Sequence, residues 1–197
     1  MTGPPVPRFE TERLLLREFL DRDRDPFAAL NADARVMEHF PHLLTREESD
    51  ALVDRIGERW AEDGVGLWAV ERRDDGSFLG FVGLAAPSFE SDFTPCVEVG
   101  WRLAVDAWGH GYATEAARAA LAFGFADRGL DEILSWTVPA NVRSRAVMER
   151  IGMTHDPADD FDHPNIAVGS PLRRHVLYRL SRERWLATDE LDPSTSR

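Results

Sequence analysis

A strand, a glycine-bearing turn and a helix follow one another between Val97 and Phe125, and this order can create an anion-binding site. The run from Val97 to Val105 is apolar and β-prone, and the alanine-rich run from Ala113 to about Ala126 is typical of a helix. A helix start leaves backbone N–H groups without partners and carries the positive end of the helix dipole. Gly109 and Gly111 lie in the turn and leave room for a phosphate to approach these groups.

Two familiar phosphate-binding patterns do not fit this turn. No Gly-Lys-Ser/Thr follows it, so it is not a P-loop, and Tyr112-Ala113-Thr114 replaces the spacing that the third Rossmann glycine requires. The two glycines alone are as compatible with an ordinary strand–turn–helix connection as with a phosphate site. A nucleotide-binding module that uses this turn is therefore one of the functions left open by the glycines.

Two longer strings, Trp108 to Ala116 and Asn141 to Met153, resemble motifs of the GNAT acetyltransferase superfamily, in its RimJ/RimL-like branch. The first, Trp108 to Ala116 (WGHGYATEA), resembles the loop that binds the pyrophosphate of acetyl-CoA, although Trp108 stands where Gln or Arg is commoner. The second, Asn141 to Met153 (NVRSRAVMERIGM), is similar to the string N-x-x-S-x-x-V-x-E-K-x-G-F of that branch. The resemblance spans roughly Glu10 to Leu180 and implies transfer of an acetyl group from acetyl-CoA directly to a primary amine.

The resemblance also implies which residues hold the co-substrate. Backbone amides of the turn would bind the diphosphate, the backbone of Leu103 to Val105 would pair with the pantetheine arm, and the side chains of Asn141 and Ser144 would reach the co-substrate. Asn141 has a second interpretation as a helix N-cap, Ser144 as a polar residue of the first helical turn, and His110 as a solvent-exposed spacer. The expected binding residues are Leu103, Ala104, Val105, Trp108, Gly109, His110, Gly111, Tyr112, Ala113, Thr114, Asn141 and Ser144.

Glu98 is the candidate general base. It stands in Val97-Glu98-Val99-Gly100, and alternation along a strand places its side chain on the face opposite Val97 and Val99. An acidic residue within an apolar strand is exposed, paired or functional. An amine attacks a thioester only when it is neutral, and at pH 7 a lysine amine is roughly 0.04% neutral whereas an α-amine is roughly 10% neutral. A base within reach offsets this cost.

The group that protonates the leaving thiolate is less clear from the sequence. Many enzymes of the family use a tyrosine shortly after the second string, but Thr154-His155-Asp156 contains none. The chain has two tyrosines, Tyr112 in the turn and Tyr178 in the last predicted strand. Ser144 is the first candidate for this acid and Tyr178 the second. The missing tyrosine also keeps open a non-catalytic acyl-CoA-binding sensor on the same fold.

Composition and charge limit the remaining possibilities. The chain has 197 residues, 43% hydrophobic and 29% charged, which fits one globular domain, expected over residues 8–187 with flexible termini at 1–7 and 188–197. No apolar run approaches the roughly 20 residues that span a bilayer, and the N-terminus lacks a signal-peptide pattern, so no membrane association and a cytoplasmic location are expected. The single cysteine, Cys96, excludes an internal disulfide and a cysteine-cluster metal site.

The formal net charge of −12 disfavours nucleic acid as a partner and mildly favours cationic partners such as amines, although solubility alone would explain it. No metal is expected, because His155, His163 and His175 lack the i, i+4 spacing of a helical pair. The acceptor could be a protein N-terminal amine or a small amine, and a homodimer is expected from the branch. The acceptor site could be lined by Trp68, His39, Phe40 and His163, for which core packing is the alternative. The acidic segment Asp156 to Pro171 could lie over that site, and a solvated loop is its alternative.

The element order is predicted as β, α, α, β, β, β, α, β, α, β. With the resemblance, this gives an α+β fold with a central, mostly antiparallel twisted sheet of about six to seven strands, flanked by about four helices. Two neighbouring parallel strands, Val97–Val105 and Ile133–Val138, should splay apart around the co-substrate. In the first half of the chain, a strand is expected at Glu10–Phe19, followed by a helix capped by Asp25 and a helix capped by Thr45 and broken by Gly64. A hairpin is expected around Asp74-Asp75-Gly76. Near the C-terminus, a helix is expected from Asn141 to Ile151, followed by Gly152, and a strand at His175–Leu180.

Overall fold

The computed structural model describes residues 5–189, with side chains up to residue 187. The chain forms two compact units, residues 5–85 with 99–120 and residues 86–98 with 121–189. Each unit is a combination of strands and helices. Within the described residues, no helix has the length and apolar character needed to cross a membrane.

The first unit contains five neighbouring strands in chain order, and the pairs formed by the first four are antiparallel. The third and fourth strands form the predicted hairpin, in which Gly76 has a φ of 72°. The predicted strand Glu10–Phe19 is divided in two, because Thr11 N–H donates to Leu14 O (2.9 Å) and turns the chain. The strands are β1 (Phe9–Glu10), β2 (Leu14–Arg17), β3 (Leu67–Arg72), β4 (Phe78–Ala85) and β5 (Glu98–Leu103), of which Glu98 belongs to the second unit.

Three helices begin in the first unit: α1 (Arg24–Ala32), α2 (Arg46–Asp63) and α3 (Tyr112–Ala122). The capping box predicted for α2 is present, since Thr45 Oγ1 accepts from Glu48 N–H (3.2 Å) and Glu48 Oε2 accepts from Thr45 N–H (2.8 Å). The chain then leaves α2 at Gly64, which has a φ of 65° as a left-handed cap requires.

The expected cap of α1 is wrong. Its N-cap is Asp23 rather than Asp25, and Asp23 makes no side-chain cap hydrogen bond. The carboxylate of Asp23 is used elsewhere, because it accepts from both terminal nitrogens of Arg17 (2.6 and 2.9 Å). The helix packs through Phe27 and Leu30 against Val53 of α2 and Phe81 of β4, which form the centre of a buried cluster.

The second unit is arranged around the last strand. The strands are β6 (Glu132–Thr137), β7 (Thr154–His155), β8 (Phe161–Asp162) and β9 (Arg174–Ser181), and β9 pairs in antiparallel fashion with the other three. Glu98, the first residue of β5, pairs in parallel with β6 and has Leu134 as its partner in register. The helices are α4 (Val142–Arg150) and α5 (Arg182–Asp189), and residues Phe123–Asp127 form a π-helical turn after α3.

The predicted fold class is confirmed: the chain has nine strands, mostly antiparallel, and five α-helices in its described part. The prediction missed β7, β8 and α5. Near the ends of the described residues, Trp68 Nε1 donates to Pro7 O (2.7 Å) and α5 extends through Asp189, while the expected domain bounds stay a prediction. Residues 1–4 and 190–197, which carry the rest of the expected flexible termini, lie outside the described residues.

Candidate active site

The turn between β5 and α3 presents backbone N–H groups at the start of a helix. After β5, a 3-10 turn at Val105–Ala107 leads into Gly109 and Gly111, which have φ values of 78° and 82°. Glu115 N–H donates to Gly111 O (3.0 Å), which makes Gly111 the first acceptor of the helix. The amides of Tyr112, Ala113 and Thr114 precede the first complete turn, so helix geometry supplies no backbone acceptor for them.

The two glycines are required by the backbone and leave the turn open. A positive φ strains any other residue at these positions. A Cβ atom placed on Gly109 would meet no protein atom within 4 Å, and one on Gly111 would meet Arg13 Nη2 at 3.5 Å. The turn is therefore open beside Gly109 and has a guanidinium nitrogen beside Gly111.

A network from the turn between β1 and β2 holds this loop, and the sequence analysis did not find it. Glu115 Oε1 accepts from Thr11 Oγ1 (2.6 Å) and from the backbone N–H of Arg13 (2.9 Å), while Glu115 Oε2 accepts from Arg13 Nε (2.7 Å). Arg13 Nη1 also donates to His110 O (2.9 Å), and its guanidinium lies 4.9 Å from the centre of the Tyr112 ring. Burial raises the pKa of Glu115, but these hydrogen bonds and the charge of Arg13 lower it overall.

The segment expected to pair with pantetheine is anchored by its own hydrogen bonds. Leu103 O accepts from the indole Nε1 of Trp108 (2.9 Å), and Ala104 N–H donates to Leu79 O (2.8 Å). The carbonyl groups of Ala104 and Val105 accept from the backbone of the 3-10 turn. Each carbonyl keeps a second acceptor position, so these bonds fix the segment without excluding a further donor.

Asn141 is the N-cap of α4, as one of its two interpretations predicted. Its Oδ1 accepts from Ser144 N–H (3.2 Å) and its Nδ2 donates to Thr137 Oγ1 (3.0 Å). Both ends of the amide are thus in use within the protein. Ser144 lies in the first turn of α4 and is half-buried.

Glu98 is half-buried at the start of β5, opposite Leu134 of β6. Burial raises the pKa of its carboxyl group to about 8, far above the usual value for glutamate. A group with this pKa both accepts and releases a proton near neutral pH, which is what a general base requires.

Cys96 lies two residues before Glu98 and lines two cavities of about 470 and 360 Å³. Burial, followed by the charge of Glu98, raises the pKa of its thiol to about 11. The thiol is therefore protonated at neutral pH and is a poor nucleophile there. No cluster of three or more His, Cys, Asp or Glu side chains that could hold a metal ion occurs among the described residues.

Comparison with known proteins decides the family. The model of the acetyltransferase (GNAT) domain matches residues 13–154. The chain belongs to the GNAT acetyltransferase family. Members of this family use acetyl-CoA as co-substrate.

Several GNAT relatives and solved structures are similar to this chain. The Bacillus subtilis protein YkkB is 35% identical over 144 residues, which cover 73% of this chain and 83% of YkkB. The FsC-acetyl coenzyme A-N(2)-transacetylase of Aspergillus fumigatus is 30% identical over 211 residues, covering 100% of this chain and 86% of that enzyme. The crystal structure of a GNAT acetyltransferase from Bacillus anthracis has a TM-score of 0.73 and 26% identity, covering 89% of this chain and 99% of that one.

Tyr178, the second candidate acid of this GNAT chain, is 2% exposed. Its hydroxyl donates to Glu149 Oε1 (3.0 Å) and accepts from Arg145 Nε (3.4 Å), and its ring stacks on His155. These contacts give Tyr178 a structural role in the second unit. Its position therefore favours Ser144, whose side chain is less enclosed, as the acid.

The residues suggested for an acceptor wall occupy different environments. Trp68 is fully buried, stacks edge-on against Trp60 and Phe9, and belongs to the core of the first unit. His39 is half-buried, while Phe40 is 36% exposed. His163 contacts Phe89 (ring centres 4.5 Å apart) in a half-buried aromatic group of the second unit, which also contains Phe93, Trp136, Phe161 and His175.

The acidic segment Asp156 to Pro171 is not a free negative loop. It contains β8, and three of its carboxylates already have cationic or imidazole partners. Asp159 pairs with Arg179 (2.6 Å), Asp160 with His155 (2.7 Å) and Asp162 with Arg173 (3.3 Å). The expectation that this segment attracts a cation therefore finds little unbalanced charge to support it.

Proposed function

We propose that this protein is an N-acetyltransferase of the RimJ/RimL-like branch that transfers an acetyl group from acetyl-CoA directly to a primary amine. The acceptor is a protein N-terminal α-amine or a small-molecule amine. The observation that carries the proposal is the open helix start at Gly109 to Thr114, held in place by Glu115. Family membership supports the reaction class, and the geometry of this turn supports its assignment to the diphosphate.

The turn suits a diphosphate in the kind of hydrogen-bond donors it offers and in the binding free energy that they would supply. The amides of Tyr112, Ala113 and Thr114 would donate to its oxygens at the positive end of α3. One hydrogen bond to a charged group contributes about 1.5–3 kcal/mol. Two or three such bonds would supply a large part of the roughly 8 kcal/mol that micromolar binding requires.

Glu98 would take the proton of the attacking amine. The amine nitrogen forms a bond to the thioester carbonyl carbon, the carbon–sulfur bond breaks, and the electron pair of that bond leaves on sulfur. Ser144 would donate its hydroxyl proton to the thiolate, and solvent would return a proton to Ser144. The products are then an amide and free CoA, with the amine proton on Glu98 until solvent removes it.

Direct transfer is favoured over an acyl-enzyme route. The chain has one cysteine, and burial raises the pKa of its thiol to about 11. Forming an acyl-cysteine would first require deprotonating that thiol at a considerable cost near pH 7. A single ternary complex of acetyl-CoA and amine avoids this step, and initial-rate kinetics should show intersecting rather than parallel lines.

A panel of amines, followed by the release of free CoA, tests the function. We expect turnover with at least one α-amine or small amine, and a melting temperature raised by acetyl-CoA. A non-catalytic sensor would bind acetyl-CoA and release no CoA with any amine. A nucleotide-binding module would instead be stabilised by ATP or NAD. The expected homodimer, by analogy with the branch, can be checked in the same preparation by sedimentation, and the cytoplasmic location stays a prediction.

A further inference from the structure

Arg102, in β5, is a half-buried cation with an enclosed Nε, and its contacts among the described residues are with an amide and two aromatic rings. Its guanidinium lies over two aromatic rings, with its Cζ 4.1 Å from the centre of Phe40 and 5.4 Å from the centre of Phe81. Its Nη1 donates to Asn31 Oδ1 (2.6 Å). Its Nε is buried and has no hydrogen-bond partner in the described part of the chain.

Arg17 shows how the same unit balances a buried guanidinium. Arg17 is 7% exposed, and its terminal nitrogens contact the carboxylates of Asp23 (2.6 Å) and Glu71 (2.8 Å). The described residues place no such carboxylate within 4 Å of Arg102. Burial lowers the pKa of Arg102 to about 10, so the group is still charged at neutral pH. A buried charge without a counter-ion is costly, and a ligand anion would relieve that cost.

The orientation of Arg102 is fixed by a buried amide. Asn31 is fully buried, accepts from Arg102 through Oδ1 and donates through Nδ2 to Ser49 Oγ (3.0 Å). Asn31 therefore holds the Nη1 corner of the guanidinium and cannot neutralise it. This contact leaves Nε and Nη2 without a hydrogen-bond partner among the described residues, and these two nitrogens form the edge that binds a carboxylate through two parallel hydrogen bonds.

The surroundings of this edge favour a planar carboxylate over a phosphate. The rings of Phe40 and Phe81 lie against the guanidinium, and its N–H groups point outward in the guanidinium plane, where a planar carboxylate can meet two of them. Arg102 directly precedes Leu103, the first residue of the segment to which we assign the pantetheine arm. The helix start at Tyr112 already provides for the diphosphate. The Phe40 ring is more than a third exposed, so the side of the guanidinium that contacts Phe40 lies near the surface.

From this geometry we infer that Arg102 binds a carboxylate of the acceptor, so that the preferred substrates are amines that also carry a carboxylate. The inference rests on the proposed acetyl transfer and narrows its acceptor class. Amino acids and their derivatives fall within that class, whereas polyamines and other purely cationic amines fall outside it.

Pairs of α-amino acids and their α-carboxamides, assayed by CoA release at saturating acetyl-CoA, test this inference. The carboxamide has the less basic amine, so an enzyme without an anion site would favour it. We expect the wild type to show a KM for the acid at least tenfold below that for the carboxamide. In Arg102→Gln the ratio of the carboxamide KM to the acid KM should fall to one or below, because the less basic amine is then favoured, and Arg102→Lys, which keeps the charge but lacks the two-pronged edge, should lie between.

Further measurements separate the remaining explanations. An equal KM for acid and carboxamide in the wild type, or an unchanged ratio in Arg102→Gln, would overturn the inference. A Kd for acetyl-CoA raised tenfold with the ratio intact would assign the anion to the coenzyme instead, and the inference would be wrong.

If no amine releases CoA, acetyl transfer itself fails. The wild type should still melt higher with the acids than with the carboxamides, and Arg102→Gln should not; equal melting would reject the carboxylate site independently.

Discussion

Buried and half-buried charged side chains in this protein have two kinds of surroundings. Arg17 is neutralised by Asp23 and Glu71, and the three side chains join β2 to the start of α1 and to β3. Glu98 and Arg102, both in β5, have no such partner among the described residues, and burial shifts both pKa values toward the neutral form. Shifted pKa values of this kind are frequent at functional sites, because desolvation keeps a group ready to exchange a proton or to meet a ligand charge.

Glu98→Gln should remove the proposed general base while keeping the size of the side chain. We expect kcat/KM to fall by about 10²–10⁴-fold. The wild-type rate should rise with pH through an apparent pKa near 8, because only the ionised carboxylate accepts the amine proton. Rates measured from pH 6 to 9.5 check both points. A loss of less than threefold at pH 8 would remove Glu98 from this role.

Although Glu98→Gln should lower activity, it should raise the free energy of unfolding near pH 8. The folded-state pKa of about 8 lies above that of an unfolded glutamate, near 4.3, so the folded state retains a proton that the unfolded state has lost. The free energy of unfolding of the wild type therefore falls as the pH rises from about 4.3 to 8. Urea unfolding should find the variant more stable than the wild type at pH 8 and similar to it at pH 4. Equal stability at pH 8 would mean that Glu98 is not desolvated.

Ser144→Ala and Tyr178→Phe separate the two candidate acids. Ser144→Ala should lower kcat at saturating acetyl-CoA with little effect on unfolding, because its hydroxyl is part of no buried network in the described structure. Tyr178→Phe should keep kcat within about threefold but lower the free energy of unfolding by about 1–3 kcal/mol, since Glu149 and Arg145 lose their partner. Full turnover in Ser144→Ala, together with a large loss in Tyr178→Phe, would reverse the assignment.

At the scale of elements, the turn before α3 depends on features both near and far in the sequence. The glycines and the helix start are local and could be predicted from the string Trp108 to Ala116. The hydrogen bonds between Arg13 and Glu115 could not be predicted, because the two residues are 102 positions apart and neither is unusual in its local sequence. A helix start alone positions amides, whereas the hydrogen bonds of Arg13 tie the carbonyl of His110 and the first turn of α3 to the turn between β1 and β2.

Gly111→Ala tests whether this turn binds the co-substrate. A positive φ of 82° should cost the alanine variant roughly 1–3 kcal/mol of stability, and any shift of the turn should weaken acetyl-CoA binding by more than tenfold. Gly57→Ala is a matched control, since Gly57 is exposed within α2 and a Cβ there meets no atom within 4 Å. It should be slightly stabilising and bind normally. Equal calorimetric affinity in both variants would place the co-substrate elsewhere.

The elements that could be predicted carry their signals within a few residues. The capping box at Thr45, the left-handed Gly64 and the cap Asn141 all appear as expected. The cap of α1 was misplaced because Asp23 is drawn to Arg17, a contact that the local sequence does not show. The strands β7 and β8 have two residues each and exist only through pairing with β9, so no periodicity could reveal them.

For the whole molecule, the fold was predictable and the arrangement of charges around the candidate site was not. Two ordered motifs were enough to identify the family, because each occupies a helix start that the fold positions. The environments of Glu98 and Arg102 depend on burial and on contacts as distant as the 71 residues between Arg102 and Asn31. The net charge of −12 describes the surface of the chain and gives no sign of these two isolated charges.

Acetyl-CoA should stabilise the molecule against heat, because a ligand that binds only the folded state raises the free energy of unfolding by mass action. At 100 times Kd this gain is about 2.7 kcal/mol, which for a chain of this size corresponds to a rise in melting temperature of about 5–10 °C. Gly111→Ala should show a clearly smaller rise at the same concentration, because its affinity is lower. ATP and NAD at equal concentration serve as controls for general anion binding and should give less than 2 °C. If they match acetyl-CoA, the turn binds phosphates without recognising the thioester carrier, and the acetyltransferase proposal loses the observation on which it rests.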